Sequence, residues 1–290
     1  MSRAMPPRAL PMSGLLTITR LTLHEATRKR ILLATSIGGV AFLILYAVGF
    51  HFIAKSAHGQ TGAMAVMERQ IALTAFTLAG LYAVNFLGLI SAVLLPIDTL
   101  SGEIASGVIQ TLASKPIRRR DIVLGKWLAY VLVLIAYVTV LVGGVITIAR
   151  TIGGYSPPDV HIGLPLMLMQ VTLLVSLSIF GGTRFTTVTN GVLAFGLYGL
   201  AFIGGWIEQV GSWTHNVAAQ NVGTVASLIM PTECLWQLAA HHMQPPFMAQ
   251  LHVTPLSPAS VPSPAMIVWA ACWGLVALLW ALRSFERRAL

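Results

Sequence analysis

Six stretches of roughly 20 apolar residues each, separated by polar segments, constrain this chain more than any other feature. They lie at 31–54, 71–97, 127–149, 162–181, 188–206 and 265–282. A helix needs about 20 predominantly apolar residues to cross the hydrocarbon core of a bilayer. With 56% hydrophobic and only 9% charged residues, the chain lacks the roughly 25% charged content of a soluble domain. It also lacks the low hydrophobicity that disorder requires. The sequence predicts an all-α polytopic membrane protein with six spans in one transmembrane domain over 1–290. The first stretch is too long for the apolar core of a signal peptide. The fourth contains Pro165 and Gln170, and the fifth contains five glycines between Gly191 and Gly205.

The basic residues orient these spans. If the N-terminus is cytoplasmic, 15 of the 18 Lys and Arg fall in cytoplasmic segments and only Lys55, Arg69 and Arg150 fall outside. Cytoplasmic loops concentrate Lys and Arg, so both termini are expected inside. The net charge of +9 then serves topology, and no nucleic-acid partner is implied. Cys234 and Cys272 form no metal-binding pair pattern, and a disulfide between them is not expected.

The spans read as nearly free of ionisable groups. Asp98 and Lys126 stand at the cytoplasmic mouth, and Asn85 and Gln170 are the interior polar residues of note. Those two could line a substrate path or could hydrogen-bond between helices. Ion-driven transporters keep a carboxylate, His or Lys at mid-membrane. A chain without one, if it moves a substrate, is expected to draw energy from outside the bilayer. The pairs Gly143-Gly144, Gly181-Gly182 and Gly204-Gly205 suit close helix approach.

Three segments between spans are long enough to be structured. In 15–30, Leu15, Ile18, Leu21 and Leu23 mix with Arg20, His24 and Arg28. The pattern suits an amphipathic interfacial helix or a plain basic flank. In 98–120, Ile104, Val108, Ile109 and Leu112 make a narrow apolar stripe. Ser101 is placed to cap that helix, and Pro116 ends it before Arg118–Arg120. Such a segment suggests a surface built for a partner. In 207–263 there is no Lys or Arg. Two short helices, 221–230 and 232–243, are expected to break at Pro231 and cap the bundle. A Pro/Ser-rich connector then returns to the last span.

No site chemistry emerges. Gly125-Lys126 is followed by Trp127 and lacks the earlier glycine of a phosphate-binding loop, and neither HExxH nor GxSxG occurs. His215, His241, His242 and His252 lie near Cys234, Met243 and Met248, ligand types that suit copper. Adjacent His241, His242 and Met243 point to different faces of a helix, however, and no metal site is assigned. No catalytic residue is expected.

The run SGEIASGVIQTLASKPIRRRDIVLGK, ending at Lys126, resembles the signature of ABC-2 type permeases. The matching positions are Glu103, Gly107, Leu112, Pro116, Arg119, Gly125 and Lys126. Ser101 stands where the family carries the first of two acidic residues. The plan of the whole chain is similar too: an interfacial N-terminal helix, six spans, a cytoplasmic coupling helix and outer re-entrant helices, as in type V exporters. The nearest branch resembles the permeases likened to the copper-maturation transporter of nitrous oxide reductase, a label that assigns no substrate. The resemblance implies a permease subunit of an ATP-driven exporter in a bacterial cytoplasmic membrane. It implies a homo- or heterodimer of permease chains above separate ATP-binding subunits, which would hold ATP and Mg. The stripe Ile104, Val108 and Leu112 would seat in the ATPase, with Glu103 and Arg119 contacting its surface. Other readings are a non-transporting subunit that transmits ATPase strokes to an outer-side protein, and a secondary carrier or channel.

Overall fold

The computed structural model describes residues 12–56, 63–107, 118–246, 248 and 261–288. Among the described residues there are ten helices and no strand. They are α1 (Met12–Arg28), α2 (Arg30–Ser56), α3 (Ala63–Leu94), α4 (Ser101–Ala105) and α5 (Arg119–Gly153). The others are α6 (Val160–Arg184), α7 (Thr187–Trp213), α8 (Val217–Ile229), α9 (Thr232–His242) and α10 (Ala265–Glu286). Six of them, α2, α3, α5, α6, α7 and α10, are long and apolar enough to cross a membrane. All six expected spans are present. Val108, Ile109, Leu112 and Pro116, and most of the Pro/Ser-rich connector, lie outside the described residues.

Neighbouring side chains fix the direction of each span. The start of α2 meets the end of α3 through Lys29 and Asp98, and Phe50 of α2 packs where Gly153 ends α5. We call the end holding α1 and α4 the basic end; both described termini lie there. α5 has 35 residues, about 52 Å of helix against a hydrocarbon core of about 30 Å. Its first turns, which carry Arg119, Arg120 and Lys126, therefore extend the bundle at the basic end. At the far end Gly154 closes α5 in the left-handed region, φ 66°, donating to the Arg150 carbonyl at 3.2 Å. Glycine adopts that conformation without the steric penalty a Cβ would bring.

α3 and α6 form the centre and α2 and α10 the rim. About two-thirds of the α6 span is buried but only 11% of α2. The leucines, valines and isoleucines that α2 and α10 leave exposed, such as Leu33, Ile44, Leu275 and Val276, form the apolar surface expected against acyl chains. Pro165 lies inside α6 without ending it. A proline near the start of a packed membrane helix loses one donor that neighbouring chain can compensate.

α1 is a helix, and its buried stripe is Ile18, Thr19, Thr22 and Ala26 against α5. Leu16 and Leu21 point outward, each 58% exposed. The stripe against α5 is thus less apolar than the leucine pattern implied, with Ile18 seated directly on Gly125 of α5.

The segment after α7 folds back into the bundle. Asn216 caps α8, its Oδ1 accepting from the N–H groups of Ala218 and Ala219 at 3.0 and 3.3 Å, as an N-cap Asn does. α8 then runs antiparallel along α7, where a Cβ at Gly204 would stand 2.3 Å from the Ala226 Cβ and one at Gly211 2.7 Å from the Ala219 Cβ. The chain breaks at Pro231 and returns as α9, whose residues Thr232–Ala240 are all buried, mainly against α6. Gln170 in the middle of α6 donates to the Thr232 carbonyl at 2.6 Å, and Gly163 near its far end meets Met243. α8 and α9 are therefore a re-entrant hairpin, as expected, with its tip level with the middle of α6.

Replacing Gly204 by Leu should separate α8 from α7 and cost about 1–3 kcal/mol. Gly199→Leu, at a glycine with open space around it, should leave stability unchanged. Thermal unfolding of both variants in detergent checks this.

Candidate functional site

The densest polar construction lies at the basic end, where the chain leaves α3. Turns at 95–100 and the short α4 follow Leu94. Ser101 does not cap α4: it is the first helical residue, and its Oγ donates to the Ile97 carbonyl at 3.0 Å and meets Thr187 Oγ1 of α7 at 2.8 Å. Gly107, at φ 75°, follows in a left-handed conformation that favours glycine.

Residues 97–103 sit in a socket with walls from several helices. From the α1–α2 bend, Lys29 Nζ donates to Asp98 Oδ1 at 3.0 Å and to Thr99 Oγ1 at 3.4 Å, lies 3.6 Å from Glu25 and stands 5.7 Å above the Tyr130 ring. From α5, Tyr130 accepts from Thr99 Oγ1 at 2.5 Å. Lys126, 3% exposed, donates to the Thr99 carbonyl at 3.4 Å and to Glu103 Oε1 in a close ion pair. From α7, Asn190 Nδ2 donates to the Ile97 carbonyl at 3.2 Å and to the Ser178 carbonyl of α6 at 2.9 Å. From α6, Gly181 leaves room for the Asn190 side chain, whose Oδ1 a Cβ would meet at 2.0 Å, and Gly182 lies against Leu100.

This arrangement explains the Gly-Lys pair. A Cβ at Gly125 would meet Ile18 Cγ2 of α1 at 2.7 Å and the Leu15 carbonyl at 3.2 Å, so only glycine lets α1 lie across α5. The next residue, Lys126, faces the socket and neutralises Glu103. A buried lysine is tolerable when an acid pairs with it. Gly125 and Lys126 thus tie α1 and α4 to the same turn of α5.

The site residues read from the sequence have divergent placements. Glu103 and Lys126 come together, with Glu103 turned inward. Ile104 is half-buried against the core. Arg119 donates to the carbonyls of Glu286 at 3.3 Å and Arg288 at 2.7 Å, closing the end of α10, and Arg120 pairs with Glu286. Val108, Leu112 and Pro116 lie outside the described residues. Gln170 joins α6 to α9, as its hydrogen-bonding alternative anticipated, while Asn85 is 4% exposed with its Oδ1 unpartnered.

The expectation that the spans are nearly free of ionisable groups needs correction. α7 runs on to Trp213 and carries Glu208, 8% exposed, packed against Gly223 of α8. Glu233, 8% exposed in the re-entrant hairpin, packs against Gly205. The apolar run of the sequence ends at Trp206, and the helix continues past it through Glu208. Both cysteines are free, Cys234 buried and Cys272 exposed. Among the described residues no three His, Cys, Asp or Glu side chains gather in a metal-binding group.

Comparison with known proteins places this geometry in a family. The family model for the ABC-2 family transporter protein matches residues 16–290, so the chain belongs to the ABC-2 family. No curated protein matches it.

Lys126→Met should lower stability by about 3 kcal/mol, because it leaves Glu103 facing the socket without a cation. Combining it with Glu103→Met should restore most of the loss. Unfolding midpoints of the two single variants and the double variant check this; strictly additive losses would show that the pair contributes nothing.

Proposed function

We propose, from membership in the ABC-2 family, that this permease subunit works as an exporter driven by a separate ATP-binding subunit docked at its basic end. ABC-2 family proteins are membrane components of ABC transporters. The observation that carries the finer reading is the socket around residues 97–103. A partner pressing on 98–120 would push on a segment tied by side chains to the α1–α2 bend, α5 and α7 together. The pairing of Glu103 with Lys126 makes it an internal link of that transmission, and Arg119 holds the end of α10 in the same block. ATP and Mg would bind on the partner subunit, and hydrolysis would occur there.

The Lys and Arg distribution supports a cytoplasmic basic end, 15 against 3, in a bacterial cytoplasmic membrane with both termini inside. A second permease chain, identical or related, would complete the path. Family membership favours a transporter over a secondary carrier or channel.

Gentle detergent extraction of the tagged chain should bring down an ATP-binding subunit with ATPase activity. Val108→Asp with Leu112→Asp should remove that subunit while leaving the permease folded. If the wild-type chain purifies alone, the ATP-driven reading is lost. If the double variant keeps its ATPase, docking lies outside 98–120.

A further inference from the structure

At the basic end a groove of about 650 Å³ runs between the ends of α6 and α10. Trp280, Arg283, Ser284 and Arg287 recur at spacings of 3, 4 and 7, which places them on one stripe of α10. Arg184 and Arg288 complete the walls.

The arginines divide into two pairs. Arg184 and Arg288 are structural: Arg184 Nε donates to Ser284 Oγ at 3.0 Å and its guanidinium lies 5.9 Å from the Phe180 ring, while Arg288 Nη1 donates to the Thr183 carbonyl at 2.5 Å. Among the described residues, the guanidiniums of Arg283 and Arg287 have no hydrogen-bond or ion-pair partner. Among the described residues no acid lines the groove, and Glu286 on the same helix is taken by Arg120. Four guanidiniums therefore surround one space with no counter-charge among the described residues. The opposite end of the stripe is apolar: Trp280, 57% exposed, continues into the exposed Val276 and Leu279 of the lipid-facing side of α10.

A ligand suited to this gradient has an anionic head and an apolar tail. Guanidinium forks match phosphate oxygens bidentately, tryptophan favours the level of the headgroups, and basic pockets between membrane helices suit anionic phospholipid headgroups. We propose that this groove binds the phosphodiester headgroup of an anionic membrane phospholipid, holding the end of α10 to α6 at the membrane surface. The exposed Trp280 side favours a lipid over an acidic protein surface, which would have no use for a continuous apolar flank. The proposal depends only on the chain being in a membrane, and is independent of the ATPase partner.

The test uses the purified full chain. Native mass spectrometry after delipidation, and thermal unfolding, would be run with phosphatidylglycerol, with cardiolipin, with phosphatidylcholine and with inorganic phosphate. Anionic lipids should be retained and should stabilise the chain, and phosphatidylcholine and inorganic phosphate should not. R283Q/R287Q should bind anionic lipid at least about tenfold more weakly, with lipid-free unfolding unchanged. Equal retention by wild type and variant would overturn the proposal. Equal stabilisation by inorganic phosphate would reduce the groove to a simple anion site and overturn the lipid assignment. A variant that keeps its lipid but sheds a co-purifying ATP-binding subunit would identify a protein-docking surface instead.

Discussion

Lys126 is an ammonium group held almost entirely out of water, inside a bundle whose outer faces are hydrocarbon-like. Such a charge persists only if an acid and further acceptors are fixed beside it. Glu103 and the Thr99 carbonyl are those partners, and both belong to the turns and the short α4 that follow α3. The segment cannot withdraw without stranding a cation, and the cation cannot turn away without stranding Glu103. Thr99 adds a bond to Tyr130 and Asn190 grips Ile97, so the whole turn is fixed to the spans. A short piece of irregular chain at a helix end is thereby bonded to α5 and α7.

Small residues let the rest of the bundle close around that point. Gly125 brings α1 onto α5, Gly181 admits Asn190, and Gly204, Gly211 and Gly223 bring α8 onto α7. Between helices in hydrocarbon, close approach and internal hydrogen bonds replace the hydrophobic driving force available in water. The same principle accounts for the re-entrant hairpin, whose tip is held by Gln170. It also accounts for the two glutamates, which are accommodated where glycines leave room.

Hydropathy alone revealed the six spans, because no other structure buries so many consecutive apolar residues. It placed their ends poorly where helices carry polar residues past the bilayer. α5 begins at Arg119, within a cluster that read as loop, and α7 extends through Glu208 and Gln209. The re-entrant break was legible because Pro231 separates two short apolar helices. The socket was only half legible. Glu103, Gly125 and Lys126 stood out through a family pattern, but a pattern gives no partner. That Glu103 faces Lys126, that Arg119 closes α10, and that Asn190 lies against Gly181 depend on contacts between residues up to 169 positions apart. One signal for Asn190 existed, an amide in the first turn of a span near a Gly-Gly pair.

If the segment and its socket move as one block, fixing them together should not impair function. The most direct test is a disulfide between Ser101→Cys and Thr187→Cys, whose hydroxyl oxygens stand 2.8 Å apart, made with Cys272→Ser to remove the exposed thiol. ATP hydrolysis would be measured in the assembled complex before and after oxidation. The block account predicts the same hydrolysis in the cross-linked and reduced states. A loss on oxidation that a reductant reverses would contradict it, showing that the segment must slide against α7 during the cycle.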